Sequence, residues 1–281
     1  MSICVRNRRM VDPMHSRVEL FAVIAFALAA GHAVAQANTE EGIAQYRQML
    51  QEGNPAELWE ARGEALFQQK RGPKQASLEQ CDLGLGPGVV KGVYAQLPRY
   101  FKDVNQVQDV EARLVTCMVK LQGFSLDQAT ANHFSKPDQP SDMEALVTYI
   151  AAQSKGMKIN VPLSNAREKE AYGIGERLFY RRAGPHDFSC ATCHSESGKR
   201  IRLQELPNLT LTQEAQNIYG SWPAYRVSQG TVRTMQHRMY DCYWQMRHPQ
   251  VDYPAEAVTA LEVFMGRSAN GGEVTAPTLK R

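Results

Sequence analysis

The 281-residue sequence predicts an all-α protein of two tandem domains related by duplication, and three observations carry that prediction. Apolar residues recur at helical spacing in several segments, while no sustained period-two run marks a strand. "GEALFQQKRGP" (Gly63 to Pro73) returns as "GERLFYRRAGP" (Gly175 to Pro185), ungapped, at an offset of 112. "LPRYFKDVNQVQDVEARLVTCMVKLQ" (Leu97 to Gln122) lies over "WPAYRVSQGTVRTMQHRMYDCYWQMR" (Trp222 to Arg247) at an offset of 125. That block pairs Pro98 with Pro223, Tyr100 with Tyr225, Arg113 with Arg238 and Cys117 with Cys242. Two blocks in one order signal an internal repeat. A weaker echo joins "EALVTYIAAQSKG" to "EAVTALEVFMGRSANG".

The first residues read as a leader. Arg6, Arg8, Arg9 and Arg17 precede the apolar run Val18 to Ala30, and "AVAQA" closes it, the pattern of a secretory signal peptide over residues 1–37 cut after Ala35 or Ala37. The run is short for a membrane span, and nothing else reaches that length. A periplasmic product with no membrane span is therefore expected. Removing the leader takes four basic and two acidic side chains, which leaves twenty-eight against twenty-seven. So neutral a chain lacks the basic excess that nucleic-acid binding requires.

Residues 38–159 form the expected first domain. In the register of the first block, Leu78, Cys81 and Asp82 stand where the second half has Cys190, Cys193 and His194. That second triple belongs to "CATCH", and C-x-x-C-H has one dominant reading, covalent attachment of a c-type haem. Zinc binding would need a second ligand pair at suitable spacing, and none is present. Both domains thus read as cytochrome c-like, the first having lost its haem, with one haem c per chain. A domain without the macrocycle needs another source of stability. In an oxidising compartment a Cys81–Cys117 disulfide is expected, contributing about 2–4 kcal/mol and requiring the two Cα atoms to lie within about 7 Å.

"KGMKINVPLS" (Lys155 to Ser164) has Gly and Pro and no helical period, and reads as a linker to the second domain, residues 160–281. There Glu168 to Arg181 places Tyr172, Leu178 and Phe179 near one side of a helix. Ala255 to Met265 does the same with Val258, Leu261, Phe264 and Met265, before the stop signal "SANGG". Cys190 and Cys193 would carry the haem and His194 the proximal nitrogen. For the sixth position, Met235, Met239 and Met246 offer thioethers of the kind found in electron carriers. In the repeat, however, they align with Val110, Leu114 and Leu121, as apolar core would. Cys242 aligns with a cysteine and is the odd one of the five left after the leader. It is therefore the expected distal ligand, a thiolate that favours the ferric state and leaves sulfur as the working atom. Arg238, four residues earlier on the same helix face, is placed to hold an anion against it. Arg233, His237 and Arg247 lie near in sequence. Arg181, Arg182, Lys199, Arg200 and Arg202 flank the haem motif and read mostly as solvated charge.

With "CATCH", the damaged copy "SLEQCD" and "RMYDCYWQMR" in view, the chain resembles the SoxA family, catalytic c-type cytochrome subunits of bacterial thiosulfate oxidation, in its single-haem form. The likeness covers nearly the whole mature chain, and R-x-x-x-C-Y-x-Q-M-R around Cys242 is its most discriminating part. Two-haem members keep a complete motif in the first domain, from which this chain departs at Leu78 and Asp82. The resemblance implies that Cys242 is the axial ligand modified to a persulfide, that Arg238 binds the sulfur anion, and that His194 is the opposite axial ligand. It implies an L-cysteine S-thiosulfotransferase that joins thiosulfate oxidatively to a cysteine of the SoxYZ carrier protein. That coupling releases two electrons and one haem iron accepts one, so a second acceptor is required; the family supplies it as the cytochrome SoxX, bound as a heterodimer. Two other readings stand beside this one: a monohaem electron-transfer cytochrome with a methionine ligand, and a structural or sensory haem subunit.

Overall fold

Close helix packing begins at a glycine. Helix α1 (Ala56–Gln68) lies against a later helix at Gly63, where an added Cβ would stand 2.0 Å from the carbonyl oxygen of Ala145. The structure, a computed structural model, describes residues 52–280 except 137, 202 and 203, together with 41, 42, 45, 48 and 49. The leader expected over residues 1–37 lies outside the described residues. Among those described, no helix is long and apolar enough to cross a membrane.

After α1 the chain forms a hairpin of β1 (Arg99–Phe101) and β2 (Gln106–Gln108). Asp109 then caps α2 (Val110–Cys117), its carboxylate accepting from the amides of Glu111 and Ala112, which satisfies two donors a helix start leaves open. A π-turn over Met118–Gln122 extends α2, and α3 (Leu126–Thr130) and α4 (Asp142–Ala152) follow. Gly63 packs on α4. Leu78, Leu83, Leu114, Leu146 and Ile150, all fully buried, form the core of this half.

The second half repeats the plan with additions. A capping box of Asn165 and Glu168 starts α5 (Ala166–Tyr180). Next come α6 (Cys190–His194), the short strands β3 (Arg200–Ile201) and β4 (Gln204–Glu205), and α7 (Thr212–Tyr219). A hairpin of β5 (Ala224–Arg226) and β6 (Thr231–Arg233) leads into α8 (Met235–Gln245) and α9 (Glu256–Ser268). The terminal β7 (Thr278–Lys280) pairs with β5 in parallel, giving the order β6-β5-β7.

The two halves correspond in detail. Gly175 meets α9 as Gly63 meets α4, with an added Cβ 1.9 Å from the carbonyl oxygen of Ala260. Arg99 faces Gln108 across the first hairpin, and Ala224 faces Arg233 across the other, 125 positions on. Gly72 and Gly184 take positive φ, 70° and 72°, and back onto the carbonyls of Gln122 and Arg247, so neither tolerates a side chain. The all-α expectation holds for the scaffold, while the strands are two or three residues long: β1–β2 and β5–β6 fold the chain back before α2 and α8, β3–β4 precede α7, and β7 follows α9.

Lys155 to Ser164 differs from a loose linker. Ile159 and Val161 are buried, Gly156 and Ile159 donate to the carbonyls of Val274 and Gly272, and Asn160 donates to Ala95. Apolar alternation within a Gly- and Pro-bearing stretch hides a packed extended segment. Buried polar contacts also join the halves: Asp109 accepts from Gln236 (2.8 Å) and Thr259, Tyr253 donates to Glu111 (2.6 Å), and Glu144 meets His237 (2.5 Å).

Candidate functional site

Ser189 fixes the geometry of the haem motif. Its hydroxyl accepts from the Thr192 amide and the Thr192 hydroxyl accepts from the Ser189 amide, a reciprocal cap that holds α6 as one helical turn. Cys190 and Cys193, three apart, then share a face, and His194 follows. The Nδ1 of His194 lies 2.8 Å from the carbonyl oxygen of Pro207. A carbonyl accepts only, so Nδ1 carries the proton and Nε2 keeps its lone pair, the tautomer that binds iron. Burial lowers the pKa of this histidine further, which keeps the ring neutral.

These residues line a cavity of about 510 Å³. Met235, Arg238, Met239, Cys242 and Met246 of α8 and its C-cap line it too, at the three- to four-residue spacing that puts them on one helix face. Phe179, Leu209, Ile218, Trp222 and Leu261 supply apolar surface. Burial pushes the Cys190 thiol up to about 12, an inert state that thioether formation makes irrelevant. Burial raises Cys242 as well, with Arg238 opposing it, so the guanidinium alone does not create the thiolate expected from the sequence. The donor set fits a covalent haem: two thiols for the thioethers, one neutral imidazole, sulfur ligands and apolar walls.

The alternative methionines reach the same cavity. Met235, Met239 and Met246 are buried in its wall with Cys242, and it is the repeat register that distinguishes them.

Of the cations named from the sequence that lie among the described residues, Arg238 alone lines this space. It makes no ion pair and no side-chain hydrogen bond among the described residues. Arg233 instead pairs with Asp241, His237 with Glu144, and Arg247 stacks on Trp244 at 4.6 Å. The flanking group is surface charge: Arg182 pairs with Asp187 (2.9 Å), Lys199 with Glu196 (3.0 Å) and Arg200 with Glu205 (3.9 Å), while Arg181 is exposed. Arg202 lies outside the described residues. Two cations missed in the sequence also line the cavity, Arg226 and Lys280. The repeat held a signal for the first, since Arg226 stands where the other half has the buried Phe101.

The first half shows what fills the corresponding space. Cys81 and Cys117 are bonded, with Cα atoms 5.8 Å apart, so the loops do close inward. Leu78 and Leu114 pack beside them fully buried, and Asp82 spends its carboxylate on the amides of Gly84 and Gly86. Between the two blocks the offset grows from 112 to 125, so the second half carries thirteen more residues there. The stretch between the blocks in this half includes the cavity-lining Leu206, Pro207 and Leu209.

The family model described as the SoxA/TsdA cytochrome c domain matches residues 62–159, the half without the complete haem motif. An L-cysteine S-thiosulfotransferase subunit SoxA from Hydrogenophilus thermoluteolus is 48% identical over 86% of this chain and 88% of the relative. One from Hydrogenobacter thermophilus is 34% identical over 79% and 83%. In fold, the chain matches a crystal structure of SoxXA from P. pantotrophus with a TM-score of 0.68 at 22% identity, covering 84% of each chain.

Proposed function

The chain belongs to the SoxA family and is an L-cysteine S-thiosulfotransferase subunit, and from that premise we propose how its residues divide the work. Cys190 and Cys193 would anchor one haem c, and His194 through Nε2 and Cys242 through its sulfur would hold its iron. The haem, when bound, supplies a one-electron acceptor. Arg238 binds the thiosulfate dianion by charge-assisted hydrogen bonds and orients its outer sulfur toward Cys242. Cys242, modified to a persulfide, is the group at which sulfur is exchanged, and a cysteine of the SoxYZ carrier is the acceptor. Overall, thiosulfate and a carrier thiol give an S-thiosulfonate conjugate, one proton and two electrons. A single haem would accept one electron, so a SoxX cytochrome bound beside this chain would serve as the second acceptor.

The observation that carries this reading is the unpaired Arg238 on the cavity-lining face of α8 that also carries Cys242. Burying a lone cation is costly unless an anion meets it. A mass spectrum of the Cys242 peptide tests the reading directly, with an increment of one sulfur atom expected. A Cys242→Ala protein that still couples thiosulfate to the carrier would refute it.

We further infer that residues 38–159 and 160–281 arose by duplication, the first having lost its haem and gained the Cys81–Cys117 bond, and that a leader over residues 1–37 directs export to the periplasm. The matched glycine contacts and hairpin registers support the duplication. A pyridine haemochrome assay should return one haem per chain. The methionine-ligated electron carrier is the second reading, favoured by Met235, Met239 and Met246 in the cavity wall. A near-infrared methionine-to-iron band at neutral pH would establish it in place of the first.

A further inference from the structure

Arg226 and Lys280 face each other in register on the paired strands β5 and β7. Paired strands run about 4.8 Å apart, and directly paired residues of parallel neighbours project to the same side. Both side chains line the cavity, half-buried, and neither makes an ion pair or a side-chain hydrogen bond among the described residues. Among the described residues the one lining carboxylate, Glu205, faces Arg200 at 3.9 Å. Lys280 rests its ammonium 5.4 Å from the centroid of the Trp222 ring, a contact that orients it without neutralising it. Two like charges on a shared apolar wall repel one another. Burial and the neighbouring Arg226 together push Lys280 down to about 8. In the other half, the residue at the Arg226 position is Phe101, part of the core. The charge appears only in the half with the haem motif.

A covalent haem brings two carboxylates into this cavity, and burying them unpaired is expensive. Among the described residues three lining cations are available: Arg238, Arg226 and Lys280. Arg238 shares its helix with the reactive sulfur, and the other two sit on a separate sheet. We propose that Arg226 and Lys280 form a second oxyanion site in the cavity wall, distinct from the Arg238 site, which holds the paired carboxylates of the haem edge. This leaves Arg238 free for the incoming sulfur anion. The proposal rests on the assignment of one covalent haem to this cavity, but not on the persulfide chemistry at Cys242.

The test uses the haem-loaded protein with Arg226→Gln, Lys280→Gln and the conservative Arg226→Lys. The reduction potential is followed from pH 5 to 9, with no carrier or thiosulfate present, so failure of the sulfur chemistry leaves the readout intact. Losing a cation beside a carboxylate favours the protonated acid and the ferric iron. The glutamine variants should show a lower potential at neutral pH, with the carboxylate-linked segment of the profile moved up by about one pH unit. Arg226→Lys should restore the parent profile. Sodium thiosulfate titrated against the ferric spectrum forms the second arm. An unchanged potential profile with thiosulfate binding weakened tenfold would assign the pair to the substrate path and overturn the carboxylate assignment. No change in either arm would overturn the site altogether. Should Arg226→Gln fail to fold, Lys280→Gln on the terminal strand carries the same test.

Discussion

Arg113 and Arg238 occupy equivalent positions in the two halves, and their surroundings differ in one decisive respect. Arg113, 5% exposed, is saturated: Asp103 pairs with it at 2.9 Å, Asp82 accepts from its Nε at 2.6 Å through a backbone carbonyl, and the Phe101 ring lies 4.1 Å beneath it. At Arg238 the repeat has replaced Asp103 by Ser228 and Phe101 by Arg226. Arg238 thus lacks the carboxylate partner and the aromatic ring that hold Arg113. The cysteines diverge in parallel, since Cys117 is consumed in a disulfide while its counterpart Cys242 remains a free thiol. In one half the cysteine and the arginine are paired within the chain, and among the described residues in the other they are not.

The largest effect expected from this contrast is at the two cysteines. Cys242→Ala should lower thiosulfate coupling by about 10⁴-fold, as removal of a reacting nucleophile does, with little change in thermal stability. Cys81→Ala with Cys117→Ala should do the reverse. Closing a loop between residues 36 positions apart contributes about 2–4 kcal/mol, so the midpoint of thermal unfolding should fall while the second-half haem spectrum survives. If the double variant instead lost activity at temperatures where it remains folded, the division between a structural and a reactive half would fail.

The arginines give the next test. Arg238→Gln should cut kcat/KM for thiosulfate by roughly 10- to 100-fold, the worth of a charge-assisted hydrogen bond, chiefly through KM. Arg113→Gln should leave KM alone and cost about 1–3 kcal/mol of stability, because the Asp82 carbonyl loses its buried donor. Supplying the missing partner sharpens the comparison. Ser228→Asp places a carboxylate where the first half has one, and activity should fall as Arg238 becomes internally satisfied, without loss of stability.

Much of this was legible in the sequence because the internal repeat writes each position twice. Gly63 and Gly175, Cys117 and Cys242, and Arg113 and Arg238 announce themselves by recurring, and the glycines do meet helix backbone as a recurring glycine should. What escaped has no local period. His237, expected near the site from its place beside Arg238, is spent on Glu144, 93 positions away. Thr259 reaches Asp109 across 150 positions. Lys280 enters the cavity only because β7 pairs with β5, and a three-residue strand is too short to show alternation. Buried polar pairing between halves depends on tertiary approach, which neither motif nor hydropathy encodes.

That buried junction supplies the smallest effect and asks whether the halves are energetically separable. Glu111 lies on α2 of the first half, accepts from Tyr253 of the second, and is pushed up to about 8, chiefly by burial and then by the Asp109 carboxylate. An acid whose pKa is higher folded than unfolded holds its proton in the native state, so the native protein binds more protons between about pH 4.5 and 8. Stability from this group is complete below that window and falls as pH rises through it, by at most about 1.4 kcal/mol per unit. Chemical unfolding monitored from pH 5 to 8 should show this decline. Glu111→Gln keeps an acceptor for Tyr253 and removes the charge, so it should flatten the slope by about 1 kcal/mol per unit or less. The two halves should then still unfold together. A variant in which the slope persists unchanged would assign it to the neighbouring buried acids Asp109 and Glu262, whose pKa values burial also raises. Separate transitions for the disulfide half and the haem half would show instead that the polar junction orients the halves without coupling their stability.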